Sequence, residues 1–256
     1  MIWQGSFMSL KKQPSSRRRL TGISILKRNL AENNIQRARN PVTPSRMTVR
    51  GQFPSKKMQR MVAWESQLER RACYLFEFSP SISAFREQPR TFILPYKDKV
   101  KRYTPDFEVV YSNNSIQYYE VKPLKKLQEL KHYFAYISQF LERENYGFSV
   151  LTEEELINPA REKNLTLMRS YQTRLLDDHV IKSIHLLLAS GVHSLILSDV
   201  IDYFESESVV YALIAQGYLM ADLSKPLTSE LDIYFSHSKD LKNDYQLFTR
   251  RIAPDF

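Results

Sequence analysis

Residues 103–123 read YTPDFEVVYSNNSIQYYEVKP, and the fold predicted for this chain rests on their pattern. Two runs of apolar and aromatic residues flank the polar pair Asn113-Asn114, a pattern that predicts two strands joined by a tight turn. Asp106 lies near the start of the first strand, and Glu120 and Lys122 lie near the end of the second. Because side chains alternate along a strand, Glu120 and Lys122 share one face, and a hairpin would bring Asp106 beside them.

The segments around this hairpin are expected to complete an α/β fold with a mixed sheet. Hydrophobic periodicity predicts helices over residues 61–78 and 127–145, and strands over 84–95 and 148–152. The order is therefore helix, three strands, helix, strand. It predicts a mixed sheet flanked by helices, with the last strand reached through a helical crossover. This order resembles that of the restriction-endonuclease core.

The chain is expected to have three parts. Residues 1–60 contain several prolines and little periodicity, which predicts a basic, largely extended arm. Residues 61–158 form the restriction-endonuclease-like domain, and Asn158-Pro159 marks its end. Residues 159–256 form a small α+β domain.

The pattern of that last part predicts a winged-helix-like fold. Helices are expected over 179–189, 194–204 and 205–215, followed by strands over 218–221 and 231–235. The third helix would read DNA in such a fold, but here it carries acidic and no basic residues. We therefore expect this domain to bind a protein partner.

Positive charge is concentrated in the amino-terminal arm. Residues 1–60 contain fourteen Lys or Arg and one acid, Glu32, a net charge of +13 that leaves −4 of the total of +9 for the remainder. Cations that neutralise phosphates release condensed counterions, so double-stranded DNA is the expected partner of the arm. The residues predicted to contact the DNA backbone are Arg17, Arg18, Arg19, Lys27, Arg28, Lys56 and Lys57.

Other classes of protein are disfavoured. No apolar run approaches the roughly 20 residues that span a bilayer, and the amino terminus lacks a secretory apolar segment, so we expect a cytoplasmic location and no membrane partner. The single cysteine, Cys73, excludes an internal disulfide and a cysteine-rich zinc site. No glycine-rich phosphate-binding loop is present, so the chain itself is not expected to hydrolyse ATP.

The charged residues Asp106, Glu120 and Lys122 predict a metal-binding site. Asp106 and Glu120 are hard oxygen ligands of the kind that Mg²⁺ prefers, with Mn²⁺ as the expected substitute. Lys122 would place a positive charge beside an attacking water molecule. Glu69, on the preceding helix, would add a third acidic group that positions water or serves as a further metal ligand. Such a set suits the hydrolysis of phosphodiester bonds. The alternative is that these residues are ordinary solvent-facing charges of an antiparallel sheet.

Five ordered motifs make the stretch from about Trp64 to Thr152 resemble the TnsA endonuclease subunit of heteromeric bacterial transposases. The motifs are SQLE at 66–69, LFEF at 75–78, REQP at 86–89, YTPDF at 103–107 and EVKP at 120–123. The resemblance implies a bacterial nuclease that hydrolyses the non-transferred strand at the 5′ ends of a transposon. It also implies two partners, a TnsB-like transposase that cuts and joins the 3′ ends, and a TnsC-like ATP-dependent regulator.

The resemblance also implies roles for single residues. Glu69, Asp106 and Lys122 match the catalytic acid, the metal-binding aspartate and the lysine of that family. Glu120 occupies a position where some members carry glutamine, and it would be a harder metal ligand. Gln88 matches a residue at the edge of the site, although a buried amide bonded to backbone explains it equally well.

These observations lead to one hypothesis and two alternatives. The hypothesis is a Mg²⁺-dependent endonuclease subunit of a cut-and-paste transposase. The first alternative is a stand-alone restriction or repair nuclease of the same fold. The second is a DNA-binding adaptor without catalytic activity.

Overall fold

The computed structural model describes residues 49–235 of the chain. Within this range the strands are β1 (Gly51–Ser55), β2 (Arg60–Trp64), β3 (Ile82–Glu87), β4 (Phe92–Tyr96), β5 (Lys99–Tyr103), β6 (Phe107–Tyr111), β7 (Ile116–Val121), β8 (Gly147–Leu151), β9 (Ser194–Ile196), β10 (Leu219–Ala221) and β11 (Asp232–Phe235). The helices are α1 (Gln67–Phe78), α2 (Leu124–Glu129), α3 (Lys131–Arg143), α4 (Glu153–Leu156), α5 (Pro159–Tyr171), α6 (Asp178–Ala189), α7 (Leu197–Phe204) and α8 (Glu207–Ala215).

A four-stranded mixed sheet in the order β3-β6-β7-β8 forms the centre of the first half. The first two pairs are antiparallel and the third is parallel. The parallel pair requires a crossover, which α2 and α3 provide. The predicted mixed sheet flanked by helices is therefore confirmed, and it fits a restriction-endonuclease-like core.

Each face of the sheet packs against a helix. On one face the fully buried Phe76 of α1 contacts the rings of Phe85, Phe107 and Tyr119, with centroid separations of 5.6, 5.3 and 5.4 Å. On the other face α3 packs against β7 and β8 through a second cluster, which includes Phe134, Ile137, Leu141, Tyr118, Phe148 and Val150. Burial of such a side chain contributes about 1.5–3 kcal/mol relative to leaving it exposed. The strands between the two layers consequently bury apolar side chains on both faces, together with the carboxylates of Glu108 and Glu120.

The start of the domain differs from the prediction. Residues 61–64 belong to β2, which pairs with β1, and the helix expected over 61–78 begins at Gln67. Ser66 explains this start because its side chain accepts the backbone N–H of Glu69 as an N-cap. Phe53 of β1 is buried, so the last ten residues assigned to the extended arm belong to a folded hairpin.

The strand expected over 84–95 is two strands. β3 ends at Glu87, and Gln88 has a φ of +43°, followed by Pro89. A left-handed residue before a proline interrupts the strand, and the chain turns into a separate hairpin of β4 and β5. The helix expected over 127–145 likewise begins earlier and is divided at Leu130 into α2 and α3.

The second half combines α5–α8 with a small antiparallel sheet in the order β10-β11-β9. The predicted pairing of residues 218–221 with 231–235 is confirmed. Residues 194–196, expected to begin a helix, form β9 instead because they pair with β11, and α7 starts at Leu197. Asn164 of α5 donates hydrogen bonds to the carbonyl groups of Leu223 and Lys225, which fixes the connection between β10 and β11.

Between residues 49 and 235, no helix is both long enough and apolar enough to cross a bilayer.

Candidate active site

The two central strands bring the predicted residues to one end of the sheet. Asp106 directly precedes β6, and Glu120 and Lys122 lie at the end of β7 and just after it. The antiparallel register pairs Phe107 with Tyr119, so the residues on either side of this pair also lie opposite each other. The register therefore sets Asp106 beside Glu120.

The carboxylates of Asp106 and Glu120 converge on the ammonium group of Lys122. Its Nζ lies 3.1 Å from Oδ2 of Asp106 and 2.9 Å from Oε1 of Glu120. Oδ2 of Asp106 also accepts the backbone N–H of Val121 over 2.8 Å. Glu120 is only 6% exposed. These residues are consequently a partly buried charge cluster, and the alternative of solvent-facing charges on a sheet does not describe them.

Both oxygens of Glu120 have partners. Oε1 faces Lys122, and Oε2 accepts a hydrogen bond of 2.7 Å from the hydroxyl group of Tyr103. Burial raises the pKa of Glu120 to about 7, and the charge of Asp106 adds to the rise, while Lys122 and Tyr103 offset part of it. Tyr103 was not among the predicted site residues. Its position directly before Thr-Pro-Asp was the only signal in the sequence.

Glu69 lies at the third position of α1, and local hydrogen bonds fix it there. Its carboxylate accepts the hydroxyl group of Ser66 over 3.0 Å and the backbone N–H of Glu65 over 2.7 Å. Burial raises the pKa of Glu69 to about 7, and the charge of Asp106 contributes further. Glu69 is therefore near enough to interact electrostatically with the cluster, although no hydrogen bond joins it to Asp106, Glu120 or Lys122 in the part of the chain described.

Lys122 keeps its proton in this environment. Burial lowers the pKa of its ammonium group, but the neighbouring charges of Asp106 and Glu120 outweigh burial, and the net shift is upward. The lysine thus neutralises part of the repulsion between the two carboxylates.

The donor set fits a divalent cation held by two carboxylates. Asp106 and Glu120 supply hard oxygen atoms, and Oδ1 of Asp106 accepts no hydrogen bond from any residue in the range 49–235. Mg²⁺ is usually bound through one or two carboxylates plus waters and substrate phosphates. Within residues 49–235, no group of three or more His, Cys, Asp or Glu side chains is arranged to hold a metal ion. The role of Glu69 as a further metal ligand stays a prediction.

Gln88 is attached to the site through its backbone. Its N–H donates to the carbonyl oxygen of Asp106 over 2.8 Å. The side-chain oxygen Oε1 is buried and has no hydrogen-bond partner among residues 49–235. Its position at the edge of the site stays a prediction, and the alternative of a side-chain amide satisfied by backbone does not account for that oxygen.

The predicted DNA-contacting residues fall into two groups. Arg17, Arg18, Arg19, Lys27 and Arg28 lie outside the described residues. Lys56 and Lys57 lie in the turn between β1 and β2, and their ammonium groups donate to backbone carbonyl groups. The acceptors are Gln172 for Lys56, and Phe76 and Ser79 for Lys57. The structure therefore does not group these two lysines with the carboxylates.

A mixed sheet with two carboxylates and a lysine at one end fits the class of phosphodiester-cleaving nucleases. Residues 79–153 match the family model described as TnsA-like endonuclease N terminal. The match spans β3 to β8 and includes Gln88, Asp106, Glu120 and Lys122, whereas Glu69 precedes it. The chain thus contains a TnsA-like endonuclease domain, which supports a nuclease of the transposase type. No curated protein was found to match the chain.

Proposed function

We propose that this chain is a Mg²⁺-dependent endonuclease subunit of a transposase, which hydrolyses the non-transferred strand at the 5′ ends of a transposon during cut-and-paste transposition. The observation that carries the proposal is the contact of Lys122 with both Asp106 and Glu120, inside the part of the chain that matches the TnsA-like endonuclease.

Each side chain has a role in this reaction. Asp106 and Glu120 would hold Mg²⁺, or Mn²⁺ in its place, and the bound ion would polarise the phosphate and lower the pKa of a water molecule. Lys122 would stabilise the negative charge that develops on the phosphate. Glu69, with a pKa of about 7, is suited to accept a proton near neutral pH.

The second half is proposed to be a winged-helix-like domain that binds a TnsC-like regulator. The order α6, β9, α7, α8, β10, β11 and the antiparallel sheet β10-β11-β9 support this proposal. Helix α8 carries Glu207 in its first turn and no basic residue, which favours a protein partner over the major groove of DNA. The same proposal includes a domain boundary at residue 158, DNA binding by the arm, a TnsB-like partner and a cytoplasmic location.

An end-cleavage assay tests the function. The full chain is incubated with Mg²⁺, its candidate TnsB-like and TnsC-like partners, and a duplex that carries a transposon end, and the cut strand is identified. Asp106→Ala and Lys122→Ala are expected to abolish cleavage of the non-transferred strand without changing the fold or the affinity for DNA. Lys125→Ala, the matched control on the exposed side of α2, should cleave normally.

The outcomes separate the proposed function from its alternatives. Normal cleavage by Asp106→Ala would show that the site is elsewhere. Cleavage of plain duplex without any partner would favour a stand-alone nuclease. Absence of cleavage, together with no Mg²⁺ or Mn²⁺ binding that depends on Asp106 and Glu120, would favour a DNA-binding adaptor.

A further inference from the structure

The β4–β5 hairpin, Phe92–Tyr103, is a strongly basic surface that the reaction chemistry does not use. We name it the basic hairpin. It carries four cations and one acid, Asp98, a net charge of +3 within twelve residues. The cations are Lys97, Lys99, Lys101 and Arg102, and all four are exposed.

None of these four cations forms an ion pair with another residue in the range 49–235. Several basic side chains elsewhere in this range do form ion pairs, as Arg60 does with Glu87, Arg71 with Glu162, and Arg86 with Glu108. The positive charge of the basic hairpin is therefore not neutralised within the described fold. Such a surface attracts an anionic partner.

The basic hairpin is fixed in position. Its inner face packs on α3, where the ring of Tyr96 lies 5.1 Å from that of Tyr133 and 5.0 Å from that of Tyr136. The hydroxyl group of Tyr136 donates to the carbonyl oxygen of Pro95. At the tip, Lys97 and Asp98 both have positive φ, as two-residue hairpin loops with strongly twisted strands require. The backbone of this cationic surface consequently loses little conformational entropy on binding.

The base of the basic hairpin lies at the candidate active site. Tyr103, the last residue of β5, donates to Glu120, and Arg102 and Lys101 directly precede it. From Tyr103 to Lys99 an extended strand covers about 13 Å. Duplex DNA rises about 3.4 Å per base pair, so the length of this strand corresponds to about four base pairs.

The outer face of the basic hairpin presents Ile93 and Val100, which are 56% and 72% exposed, beside Arg102.

We propose that the basic hairpin binds the phosphate backbone of duplex DNA next to the bond that is cleaved, with Lys97, Lys99 and Arg102 as the contacting groups. The inference rests on the proposed function, because DNA is taken as the substrate. The exposed apolar side chains also suit a protein partner, but the four unneutralised cations favour DNA.

DNA binding by a charge-reduced variant tests the inference. In the full chain, Lys97→Gln, Lys99→Gln and Arg102→Gln are combined, and binding to a fluorescein-labelled duplex of mixed sequence is measured by anisotropy over a range of salt concentrations. Each lost phosphate contact makes the log–log salt slope shallower by about 0.9, so the slope should change by about 2–3. The matched control combines Lys163→Gln, Arg174→Gln and Lys182→Gln, three exposed cations of the second half, and should leave the slope unchanged.

A cross-linking experiment tests the position independently. Cys73 is buried and is the only cysteine, so Val100→Cys allows a photo-activated cross-linker to be attached at position 100. On a duplex with a transposon end, cross-links are expected within a few nucleotides of the cleaved bond. The same label at position 182, introduced by Lys182→Cys, should give none there.

The results distinguish this inference from the proposed function. An unchanged salt slope together with cross-links to a partner protein would overturn the DNA contact and identify a protein-binding hairpin. An unchanged slope with no cross-link would also overturn it, even if the wild-type chain cleaves. A shallower slope and DNA cross-links in a chain that does not cleave would support the basic hairpin and contradict the proposed function.

Discussion

The hydroxyl group of Tyr103 donates a buried hydrogen bond of 2.7 Å to Oε2 of Glu120. This bond joins the end of the basic hairpin to one of the two carboxylates at the candidate active site. Since Lys122 occupies the other oxygen of Glu120, the orientation of this carboxylate is fixed from two sides. A change at Tyr103 should therefore alter the site without removing a charge.

Tyr103→Phe is expected to weaken cleavage by raising the Mg²⁺ concentration required for half-maximal activity. The variant retains the ring but loses the hydrogen bond that orients Glu120, and the unpaired oxygen should cost about 1–2 kcal/mol in the free energy of unfolding. Mg²⁺ titration of the cleavage rate and urea unfolding provide the two measurements. Tyr211→Phe removes a hydroxyl group bonded to Glu207 on α8 and serves as the control. An unaltered Mg²⁺ requirement in Tyr103→Phe would contradict this role.

The stability of the protein without added divalent ion should fall as pH rises. Glu69 and Glu120 have ordinary pKa values near 4.5 that burial, together with the charge of Asp106, raises to about 7. Because the folded state binds these protons more tightly than the unfolded state, their stabilising contribution is complete below about pH 4.5. It is lost as pH rises through about 7. Thermal unfolding between pH 5 and 8 measures the effect, which should be smaller in Asp106→Asn.

Mg²⁺ should reverse this loss of stability at pH 8. A cation that binds only the folded state stabilises it by about 1.4 kcal/mol at about ten times its Kd. The unfolding temperature of the wild-type chain should therefore rise with Mg²⁺, whereas that of Asp106→Ala should not. An equal rise in both proteins would mean that the ion binds outside the Asp106–Glu120 pair.

Ser66→Ala should reduce both stability and cleavage. Ser66 caps α1, and its hydroxyl group also donates to Glu69, so the variant loses a helix cap and one of the bonds that position this carboxylate. The expected cost in unfolding free energy is about 1 kcal/mol. Asn158→Ala removes the equivalent cap of α5, where the side chain accepts the N–H of Arg161, and is the matched control. If both variants cleave at the same rate, the bond from Ser66 does not position Glu69 for the reaction.

Glu77→Ala should destabilise the fold more than Tyr103→Phe or Ser66→Ala does. The buried carboxylate of Glu77 accepts the backbone N–H groups of Lys56 and Lys57, each over 3.0 Å, and the side chain of Gln172 over 2.7 Å. These donors would be left without their acceptor, at a cost of about 3 kcal/mol or more. Urea unfolding measures the loss, and Glu129→Ala, at a more exposed carboxylate paired with Lys126, is the control. A loss below about 1 kcal/mol would contradict the role of Glu77 in joining the β1–β2 turn to α1.

Much of the central sheet was predictable because local patterns there agree with the tertiary fold. The alternating runs around Asp106 and Glu120 predicted β6, β7 and their pairing, and the apolar stripe of α3 predicted the crossover that makes β8 parallel. The match to a TnsA-like endonuclease domain confirmed the resemblance found in the ordered motifs. The close approach of Asp106, Glu120 and Lys122 follows from the period of two in a strand and from the hairpin register.

Other features depend on contacts between residues far apart in the chain. Residues 61–64 were expected to begin a helix, yet they belong to β2, because β1 provides a partner strand. The break at Gln88 and the short strand β9 likewise arise from strand pairing and backbone geometry, which the hydrophobic periodicity of the sequence does not indicate.

The paired strands β6 and β7, the charged residues at their ends and the basic character of the chain could be predicted from the sequence, because they depend on residue type and on the alternation of side chains along a strand. The tertiary structure was needed to show that Tyr103 donates to Glu120, that Glu69 is near the charge cluster without a hydrogen bond to it among the described residues, and that Lys56 and Lys57 donate to backbone carbonyl groups. The physical reason is that hydrogen bonds and burial depend on distances between side chains that only the packed fold sets.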